Sequence, residues 1–500
     1  MSRLALSVRV TSLLLVAFPA AASTFTVNVA TVDDVDVSPG NNVCATSTGT
    51  CTLRAAVMEA NMHAGADTVS VPSGTYTLTI TGSGGASQGD LDIVGDTTIV
   101  GSTSGGNITT FIDADDIDRV FDIGALGALT VDISDVQLVD GNASGHGGAI
   151  RASNTTLTMT HVEIWSSATS GEGGALHATG STVDLEHVNF DHNQSTGSGG
   201  GIYVSGGDLT IYNSIVSENH SSSQFGGGIY FNGQGSYTLG VDLTAVDHND
   251  TYLGGGGIYL QDGNASILDS EIKNNLANNG GGLLIYGSAS SPVVEIDDTS
   301  FYRNSVVVNG GGLEVGDATV LMVNSTLAEN LARGSGGGLF SVNTATVFLN
   351  SVTMAYNHAD SDASGAGSGG AIYAGGGTYL LRHTLLALNV RDTTVSPFTT
   401  ADNCSGTIAS DGYNLTDSTA GCTVSSGSAF IVNTAPGTNA IASNGGPTQT
   451  VALSSGSPAI NAGDTSSPYC DDSFGVTLSA DQRGSSRISG GTCDIGAYEY

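Results

Sequence analysis

The stretch GSGGGIYVSGGDLTIYNSIVSEN, residues 197–219, decides the fold of this chain. It holds a glycine cluster followed by Ile202, an alternating run that ends at Asn213, and the pattern apolar-x-x-Asn at residues 216–219. Three short alternating runs separated by turn residues have the periodicity of β-strands and not of helices. Because one such unit cannot bury its own apolar face, the stretch predicts a fold in which many units stack.

The same pattern recurs along the chain from Gly147 onward. The aliphatic residue after each glycine cluster returns every 25 to 33 residues, at Ile150, Leu176, Ile202, Ile229, Ile258, Leu283, Leu313, Leu339 and Ile372. The apolar-x-x-Asn pattern keeps the same spacing and ends at Asn193, Asn219, Asn249, Asn275, Asn304, Asn330, Asn357 and Asn389. Stacking pairs each strand with the coils above and below, at about 4.8 Å per coil. The sequence therefore predicts an all-β protein, a right-handed parallel β-helix of about a dozen three-strand coils.

Asparagines mark the expected corners of the coils. Asn213, Asn324 and Asn350 stand at equivalent points before serine, and Asp269 occupies the same position in another coil. Asparagine tolerates the left-handed backbone that a sharp corner requires. We therefore predict left-handed corners at these positions, with the amides bonded to neighbouring coils as a ladder.

The N-terminus has the pattern of a secretion signal. Two arginines precede an apolar run at residues 10–18, and three alanines follow at residues 20–22. This pattern predicts a signal peptide at residues 1–22. The apolar run is too short for a stable membrane anchor, and no later run has spanning length. We expect an exported mature chain without a transmembrane segment, in the medium or at a bacterial cell surface or outer membrane.

The composition limits the partners. The sequence carries 12 Lys and Arg against 47 Asp and Glu, a formal net charge of −35, and Lys273 is its single lysine. Such a surface repels nucleic acid and anionic lipid, so we exclude both as partners. A polysaccharide or a cell-surface protein remains, and the sequence makes no prediction of the oligomeric state.

Six cysteines flank the repeats, where terminal structure would need stapling. Export and the even count favour disulfides, and a zinc site is the alternative, although CxxC spacing is lacking. Proximity along the chain favours three local pairs, Cys44 with Cys51, Cys404 with Cys422, and Cys470 with Cys493.

Both ends of an open stack expose unpaired strand edges that need covers. Leu53, Ala56, Val57 and Ala60 fall at helical spacing, which predicts a short amphipathic helix over the N-terminal end. The last residues, DIGAYEY, predict an alternating strand. We divide the mature chain into an N-terminal cap at 23–66, the β-helix repeats at 67–395, a disulfide loop with the last coils at 396–444, and a disulfide-stapled C-terminal segment at 445–500.

Three parts of the chain resemble known bacterial families. CTLRAAVMEAN, residues 51–61, resembles the CSLREA-type N-terminal domain, although Ala55 stands where that motif carries glutamate. GGPTQTVALSSGSPAINAG at residues 445–463, DQRG at 481–484 and CDIGAYEY at 493–500 resemble the choice-of-anchor Q domain. The middle resembles the repeats of polymorphic outer-membrane proteins. The resemblance implies a secreted or surface-displayed bacterial β-helix with a pectin lyase-like fold.

Catalytic patterns known from β-helical enzymes are weak in this sequence. Lyases resembling pectate lyase need lysine or arginine beside calcium-binding aspartates, and basic residues are scarce here. Hydrolases resembling polygalacturonase carry a Gly-His-Gly element, but the one at residues 145–147 falls within the repeated glycine turn. We interpret the acidic pairs at residues 115–116 and 297–298 as solvated loop acids.

Metal-binding patterns are weak as well. His192 and His248 precede the repeated asparagine two coils apart, about 9.6 Å, which is too far to share one ion. We interpret them as exposed turn residues. Since the sequence contains no DxDxDG loop, it predicts no specific metal site, and calcium is the one cofactor it leaves open.

One column of residues suggests a binding surface. The residue after each inward aliphatic should point outward, because side chains alternate along a strand. Five aromatic residues in this column are our candidate binding residues, namely Tyr203, Tyr230, Tyr259, Phe340 and Tyr373. An exposed aromatic strip of this kind stacks on sugar rings or on a partner protein. The alternative is that the rings only stabilise neighbouring coils or lie under a loop.

The sequence favours a non-catalytic, adhesin-like protein that presents a β-helical face to a glycan or a cell-surface partner. A polysaccharide lyase or glycoside hydrolase is the alternative, which rests on fold analogy. A structural envelope component is the second alternative. Carboxylates that converge in a groove would favour the enzyme, and a flat aromatic face would favour binding.

Overall fold

The computed structural model describes residues 21–394, 399–427, 430–432, 435–464, 470–471 and 477–500. Its body is a parallel β-helix whose coils each add one strand to three long ladders, which we name A, B and C in chain order. Ladder A alone stacks about a dozen strands, from Leu91–Ile93 to Cys404–Ser410. The predicted fold class is therefore confirmed. The predicted signal peptide, residues 1–22, lies outside the described residues except for Ala21 and Ala22.

The strands that belong to a single long ladder are short. Ladder A contains Leu91–Ile93, Leu176–Thr179, Ile202–Ser205, Ile229–Asn232, Ile258–Gln261, Leu283–Tyr286, Leu313–Gly316, Leu339–Val342 and Ile372–Ala374. Ladder B contains Thr24–Thr26, Asp67–Ser70, Thr97–Val100, Leu209–Tyr212, Thr238–Asp242, Asn264–Leu268, Val293–Asp297, Thr319–Val323, Thr346–Asn350 and Thr378–Arg382. Ladder C contains Gly74–Thr77, Thr110–Asp113, Ile215–Ser217, Ala245–Asp247, Glu271–Lys273, Ser300–Tyr302, Thr326–Ala328, Thr353–Ala355, Leu385–Ala387, Leu415–Thr416 and Ile431–Val432.

Other strands run through more than one ladder or lie beside them. The longer strands are Phe121–Val139, Ile150–Trp165, Thr182–Asp191, Cys404–Ser410 and Cys422–Gly427. A fourth ladder, D, consists mostly of two-residue strands that follow ladder C, which the sequence did not predict. Its strands are Asn142–Ala143, Ala168–Thr169, Gln194–Ser195, His220–Ser221, Asp250–Thr251, Leu276–Ala277, Ser305–Val306, Leu331–Ala332, His358–Ala359, Val390–Asp392 and the antiparallel Thr399–Ala401. Two hairpins complete the set, Thr103–Ser104 with Asn107–Ile108 and Thr438–Ala442 with Thr450–Leu453.

The interior column predicted from the repeat is confirmed. The aliphatic residues that follow the glycine clusters are fully buried from Ile150 to Ile372. Each begins a ladder A strand and pairs in register with its equivalent in the next coil, as Ile202 does with Leu176 and Ile229. The glycine three residues earlier has a positive φ, for example 70° at Gly199, where a side chain would be strained and would contact backbone.

The predicted asparagine ladder exists, but at another position of the coil. It is formed by the buried asparagines of the apolar-x-x-Asn pattern, of which Asn304 is typical. Asn304 Nδ2 donates to the Ile272 carbonyl at 2.8 Å and to Asn330 Oδ1 at 3.0 Å. Asn304 Oδ1 accepts from the backbone N and from Nδ2 of Asn275, both at 3.0 Å. These asparagines lie inside the turn, where the backbone groups lack strand partners.

The corner positions before serine are left-handed, as predicted, at Asn213, Asp269 and Asn324. The asparagines among them do not form a ladder, since Asn213 points outward with its Nδ2 2.8 Å from His187 Nε2, and Asn324 Nδ2 donates to the Ala480 carbonyl at 3.1 Å. The prediction was also wrong for Asn350, because the left-handed residue in that coil is Ser351, with φ 54°.

The N-terminal cap contains the predicted helix, Leu53–Met62. Thr52 caps it by accepting from the Ala55 amide at 3.0 Å, and the predicted apolar face is buried. Arg54 is fully buried and pairs with Asp33 at 2.7 Å. The strand Thr24–Thr26, which lies ahead of the helix, forms the outermost rung of ladder B. The β-helix thus already begins inside the region assigned to the cap.

The C-terminal segment turns back along the β-helix and packs against the outer side of ladder C. Its buried residues Val451, Leu453 and Ile495 lie in one apolar cluster with residues of four successive ladder C strands, namely Tyr302, Ala328, Ala355 and Leu385. Polar contacts accompany this cluster. Thr326 Oγ1 donates to Gln482 Oε1 at 2.6 Å, and the Ala497 amide donates to Thr353 Oγ1 at 2.9 Å.

Two C-terminal predictions need correction. Residues 494–500 are not a strand, because their amides bond to scattered partners: Gly496 N donates to the His383 carbonyl and Glu499 N to Asp481 Oδ2. The division between 444 and 445 falls inside the hairpin of Thr438–Ala442 with Thr450–Leu453, since the two strands pair antiparallel.

The disulfides join the three local pairs that proximity favoured, Cys44–Cys51, Cys404–Cys422 and Cys470–Cys493. Cys44–Cys51 precedes the cap helix, and Cys404 lies in a strand of the last coils. Within the described residues, no helix is both long enough and apolar enough to cross a membrane.

Candidate functional site

The predicted outward column on ladder A is a stack of rings. The centroid distances are 4.9 Å from His177 to Tyr203, 4.7 Å from Tyr203 to Tyr230, and 5.2 Å from Tyr230 to Tyr259. His146, from the glycine turn ahead of the column, stacks on His177 with a centroid distance of 4.6 Å. A second, separate stack joins Phe340 and Tyr373 at 4.9 Å. The spacing is that of successive coils, because parallel strands in register place equivalent side chains one above another.

The prediction that this column is an exposed strip was wrong. Only 9% of Tyr230, 5% of Tyr259 and 8% of Phe340 is exposed, whereas Tyr203 and Tyr373 are half-buried. Phe225 lies over Tyr259 with the ring centroids 4.5 Å apart, and Tyr230 Oη donates to Gln261 Oε1 at 2.8 Å. The interval from Ile202 to Ile229 is one residue longer than the preceding one, and the turn it contains carries Phe225 onto the stack.

Glu314 interrupts the column between Leu284 and Phe340. Burial raises its pKa to about 7, and its Oε2 is buried with no hydrogen-bond partner among the described residues. A carboxyl group that holds its proton near neutral pH is suited to donate it. Burial is the cause of this shift, and no neighbouring carboxylate contributes to it.

The aspartates at the N-terminal end of the column are neutralised by arginine. Arg151 Nε donates to Asp122 Oδ1 at 2.9 Å, and Arg119 pairs with Asp90 and lies 3.6 Å from Asp122. Burial still raises the pKa of Asp90 to about 6, since desolvation outweighs the attraction of Arg119. The carboxylates of Asp90 and Asp122 lie close together, but their charges are balanced by the two arginines of the same cluster.

The single lysine is not suited to act as a base. Lys273 Nζ lies 2.6 Å from Glu271 Oε2 and 5.7 Å from the centroid of the Tyr302 ring. Burial opposes its charge, but the hydrogen bond and the negative charge of Glu271 outweigh burial and raise the pKa of Lys273. Gln449 of the C-terminal segment bonds to Glu271 and Tyr302, at 3.0 Å each. This group is therefore part of the C-terminal packing.

The interpretation of the acidic pairs as solvated loops holds for one of them. Asp115 and Asp116 are exposed, with φ of 51° and 58°. Asp297 and Asp298 lie under the C-terminal segment, where Thr448 Oγ1 donates to the Asp298 carbonyl at 2.9 Å. Burial raises the pKa of Asp297 to about 6 and that of Asp298, with a further contribution from Asp297, to about 8. For this pair the interpretation was wrong, because the returning segment covers it.

We predict that Asp298 makes docking of the C-terminal segment weaker at alkaline pH. A carboxyl with a raised folded-state pKa contributes its full stability below its ordinary value of 3.8 and loses it as the pH rises through about 8. Asp298→Asn should slow proteolysis of the segment at pH 9 and change little at pH 4. Limited proteolysis across this range measures the effect, with the exposed Asp115→Asn as the control. Equal pH profiles for wild type and Asp298→Asn would contradict the prediction.

A groove on the outer face of ladder C was not predicted. It has a volume of about 280 Å³ and is lined by Gln137, Glu163, Ile164, Trp165, Asn189 and Asp191. Trp165 is 44% exposed, and its ring meets His192 edge-on at a centroid distance of 6.3 Å. The groove thus combines an exposed aromatic face with two carboxylates and two amides.

The in-register pairing of neighbouring coils places the polar side chains of the groove next to one another. Glu163 pairs with Gln137 and Asn189 in the neighbouring coils, and Gln137 Nε2 donates to Glu163 Oε2 at 3.0 Å. Asp191 accepts from Ser217 Oγ at 2.8 Å. Asn189 Oδ1 is buried and has no hydrogen-bond partner among the described residues. A signal for this site was in the sequence, since Trp165 is the only tryptophan and alternates with the inward-facing Ile164.

His192 and His248 lie where the sequence placed them. Both have left-handed backbone, with φ of 56° and 53°, and exposed side chains. Each pairs with the aspartate before it, His192 with Asp191 at 2.9 Å and His248 with Asp247 at 2.6 Å. The Gly-His-Gly element at residues 145–147 is part of the glycine turn, as expected, with φ of 69° at Gly147.

Comparison with known proteins gives a likeness of fold. No family model matches the sequence, and no curated protein matches it. The pectate lyase Pel9A is similar over 96% of each chain, with 17% identity and a TM-score of 0.36. The alginate lyase AlyF-OU02 in complex with G6 is similar over 79% of this chain and 81% of its own, with 12% identity and a TM-score of 0.41. The catalytic domain of a GH87 α-1,3-glucanase is similar over 76% and 70%, with 13% identity and a TM-score of 0.36.

Proposed function

We propose that this protein is an exported β-helix that binds a neutral polysaccharide in the groove around Trp165. The observation that carries the proposal is the exposed indole beside Glu163 and Asp191. Aromatic faces pack against the apolar faces of sugar rings, while carboxylates and amides bond to the hydroxyl groups around the ring edge. The net charge of −35 disfavours polyuronates, because a strongly acidic surface repels them.

Export and surface display are part of this proposal. The N-terminal signal pattern and the three disulfides support export, because disulfides persist in oxidising compartments. Membership of the CSLREA and choice-of-anchor Q families is also part of the proposal, on the motifs at residues 51–61, 445–463, 481–484 and 493–500, and several residues of these motifs make structural contacts. Arg54 ties the cap helix to Asp33, and Asn61 Nδ2 donates to the Asp92 carbonyl at 2.7 Å. Asp481 of the DQRG motif accepts from the amides of Arg483 and Ser485 at 2.9 and 3.0 Å.

We predict that Trp165→Ala weakens polysaccharide binding about tenfold. Loss of a stacking face that contributes about 1.4 kcal/mol corresponds to a factor of about ten in affinity. The chain that begins at Ser23 is titrated with a panel of soluble neutral glucans, mannans and galactans. Binding is read from retardation in affinity gels, and in the wild type also from the emission of its one tryptophan.

Tyr252→Ala is the matched control, since Tyr252 is 63% exposed and does not line the groove. It should bind the polysaccharide like the wild type, whereas Glu163→Gln should bind it more weakly, as Trp165→Ala should. Retention of Trp165→Ala equal to that of the wild type would remove the groove from the binding surface.

A glycoside hydrolase is the second candidate, and the carboxyl of Glu314 is the observation that favours it. Its raised pKa would leave a proton available near neutral pH. The same glycan panel, assayed for new reducing ends, tests this function. Release of ends by the wild type and its loss in Glu314→Gln would replace the binding proposal by the hydrolase.

A further inference from the structure

Two imidazoles and a carboxylate meet at the exposed end of the ring stack. His146 Nδ1 and Glu172 Oε2 are 3.6 Å apart, and His177 Nε2 and the same oxygen are 3.7 Å apart. All three ligand atoms lie within 4.8 Å of one another. We propose that His146, Glu172 and His177 form a binding site for a transition metal ion of the zinc type.

The stacked coils bring these residues together. His177 is the outward residue of a ladder A strand, one coil above Arg151 and one below Tyr203. His146 and Glu172 occupy equivalent places in the glycine turns of successive coils, where Gly147 N donates to the Glu172 carbonyl at 2.9 Å. The turns and the strand are fixed by the interior, so the site is held by a rigid scaffold.

The His177 side chain is buried and presents Nε2 to the carboxylate of Glu172. It is 6% exposed, and its Nδ1 is buried with no hydrogen-bond partner among the described residues. Its Nε2 is 3.7 Å from Glu172 Oε2, beyond hydrogen-bond distance. The Nε2 lone pair is therefore not engaged by Glu172 and can be offered to an ion.

The access to the site also fits an ion. His146 and Glu172 are partly exposed, so both side chains have room to close onto an ion. His146 Nδ1 accepts a long hydrogen bond of 3.2 Å from the Glu172 amide, which an ion bound at this nitrogen would replace. Coordination at about 2.0–2.2 Å requires the partly exposed His146 ring, whose centroid lies 4.6 Å from that of His177, to rotate out of the stack so that its Nδ1 points at the ion.

The donor set selects the class of metal. Imidazole suits zinc, nickel and copper, whereas calcium takes six to eight oxygen ligands. Three protein ligands leave at least one position for water. The nearby guanidinium of Arg151 is neutralised by Asp122, and the net charge of the chain favours cations near its surface.

A second group of ligand-type residues, His383, Cys470 and Cys493, carries no such inference. Its two cysteines form a disulfide, so their thiolates are not available as ligands.

Calorimetric titration of the chelator-stripped chain with Zn²⁺ tests the site. The wild type should bind one ion at this site, and Zn²⁺ should raise its Tm through preferential binding to the folded state. His177→Phe keeps a ring in the stack between Arg151 and Tyr203 and removes the nitrogens, so this variant should lose the ion. Glu172→Gln, a substitution at a partly exposed turn, should weaken Zn²⁺ binding at least tenfold. It provides the test if His177→Phe does not fold.

His220→Phe is the matched control, because His220 pairs with Asp250 on ladder D and is outside the group. It should bind Zn²⁺ like the wild type. Absence of Zn²⁺ binding by the wild type, or equal binding by His177→Phe and Glu172→Gln, would overturn the assignment. If the wild type binds Ca²⁺ and these same variants do not, the site would not be of the zinc type. Since none of these residues lines the Trp165 groove, the outcome is independent of glycan binding.

Discussion

Replacement of Asn304 by alanine is expected to lower the free energy of unfolding by roughly 3–6 kcal/mol, because each buried polar group left unpaired costs about 1–3 kcal/mol. Asn304 is fully buried, and its amide makes four hydrogen bonds to Ile272, Asn275 and Asn330. Without it, the Ile272 carbonyl and the amide groups of Asn275 lose a partner where water does not reach. The loss also interrupts the ladder between the coils on either side.

Urea unfolding followed by circular dichroism measures the loss, and hydrogen exchange at the Asn275 amide locates it. Asn213→Gly is the control, because Asn213 is an exposed corner with φ of 47°, a conformation glycine adopts without strain. This control should change the unfolding midpoint little. An Asn304→Ala midpoint that matches the control would mean that the ladder is dispensable.

Replacement of Arg487 by methionine is expected to release the C-terminal segment from the flank of the β-helix. Arg487 is fully buried, and its guanidinium donates to the Gly496 carbonyl at 2.8 Å, to the Ala480 carbonyl at 3.3 Å and to Asn324 Oδ1. Removing one partner of a buried charge cluster costs about 3–5 kcal/mol.

The cost is high because several acids face this arginine. Burial lowers the pKa of Arg487, while the charges of Glu499, Asp481, Asp298 and Asp494 raise it. Burial already raises the pKa of Glu499 to about 7, even with the arginine present. Without Arg487 these acids must either repel one another or take up protons.

Limited proteolysis followed by mass spectrometry reports the release as new cleavage in residues 435–500. Arg303→Met is the matched control, because Arg303 is exposed and its ion pair with Glu329 should contribute no more than about 1 kcal/mol. A protected C-terminal segment in Arg487→Met would show that its apolar contacts suffice for docking.

Much of the fold could be predicted because its repeat is local. The spacing of Ile202 and Ile229, the glycine before each, and the asparagine that closes each coil all follow from interactions within one or two coils. The assignment of the amide ladder failed because Asn213 and Asn219 are alike in sequence, and burial alone distinguishes them. DIGAYEY failed as a strand because its amides bond to scattered side chains and carbonyls and not to one neighbouring strand, which alternation alone does not reveal.

The candidate site was predicted less well than the fold. Alternation correctly placed Tyr230 and Tyr259 on the outer side of ladder A, but Phe225, from a turn lengthened by one residue, buries them. Trp165 could have been found by the same alternation. The groove beside it could not, because Gln137, Glu163 and Asn189 come from three different coils.

By itself the sequence determined the stacked β-helix and the cap helix over the N-terminal end, and it favoured the local pairing of the cysteines without deciding it. The first two depend on residues a few positions apart or on a repeat of 25 to 33 residues, and the paired cysteines are no more than 23 positions apart. The tertiary structure alone decided which outward faces remain open, where the C-terminal segment lies, and which polar residues of different coils meet. These features arise from contacts such as those of Arg487 with Asn324 and of His146 with Glu172, whose partners lie in different coils or segments. Local periodicity does not predict such contacts, because it fixes the direction in which a side chain points but not which residues cover it.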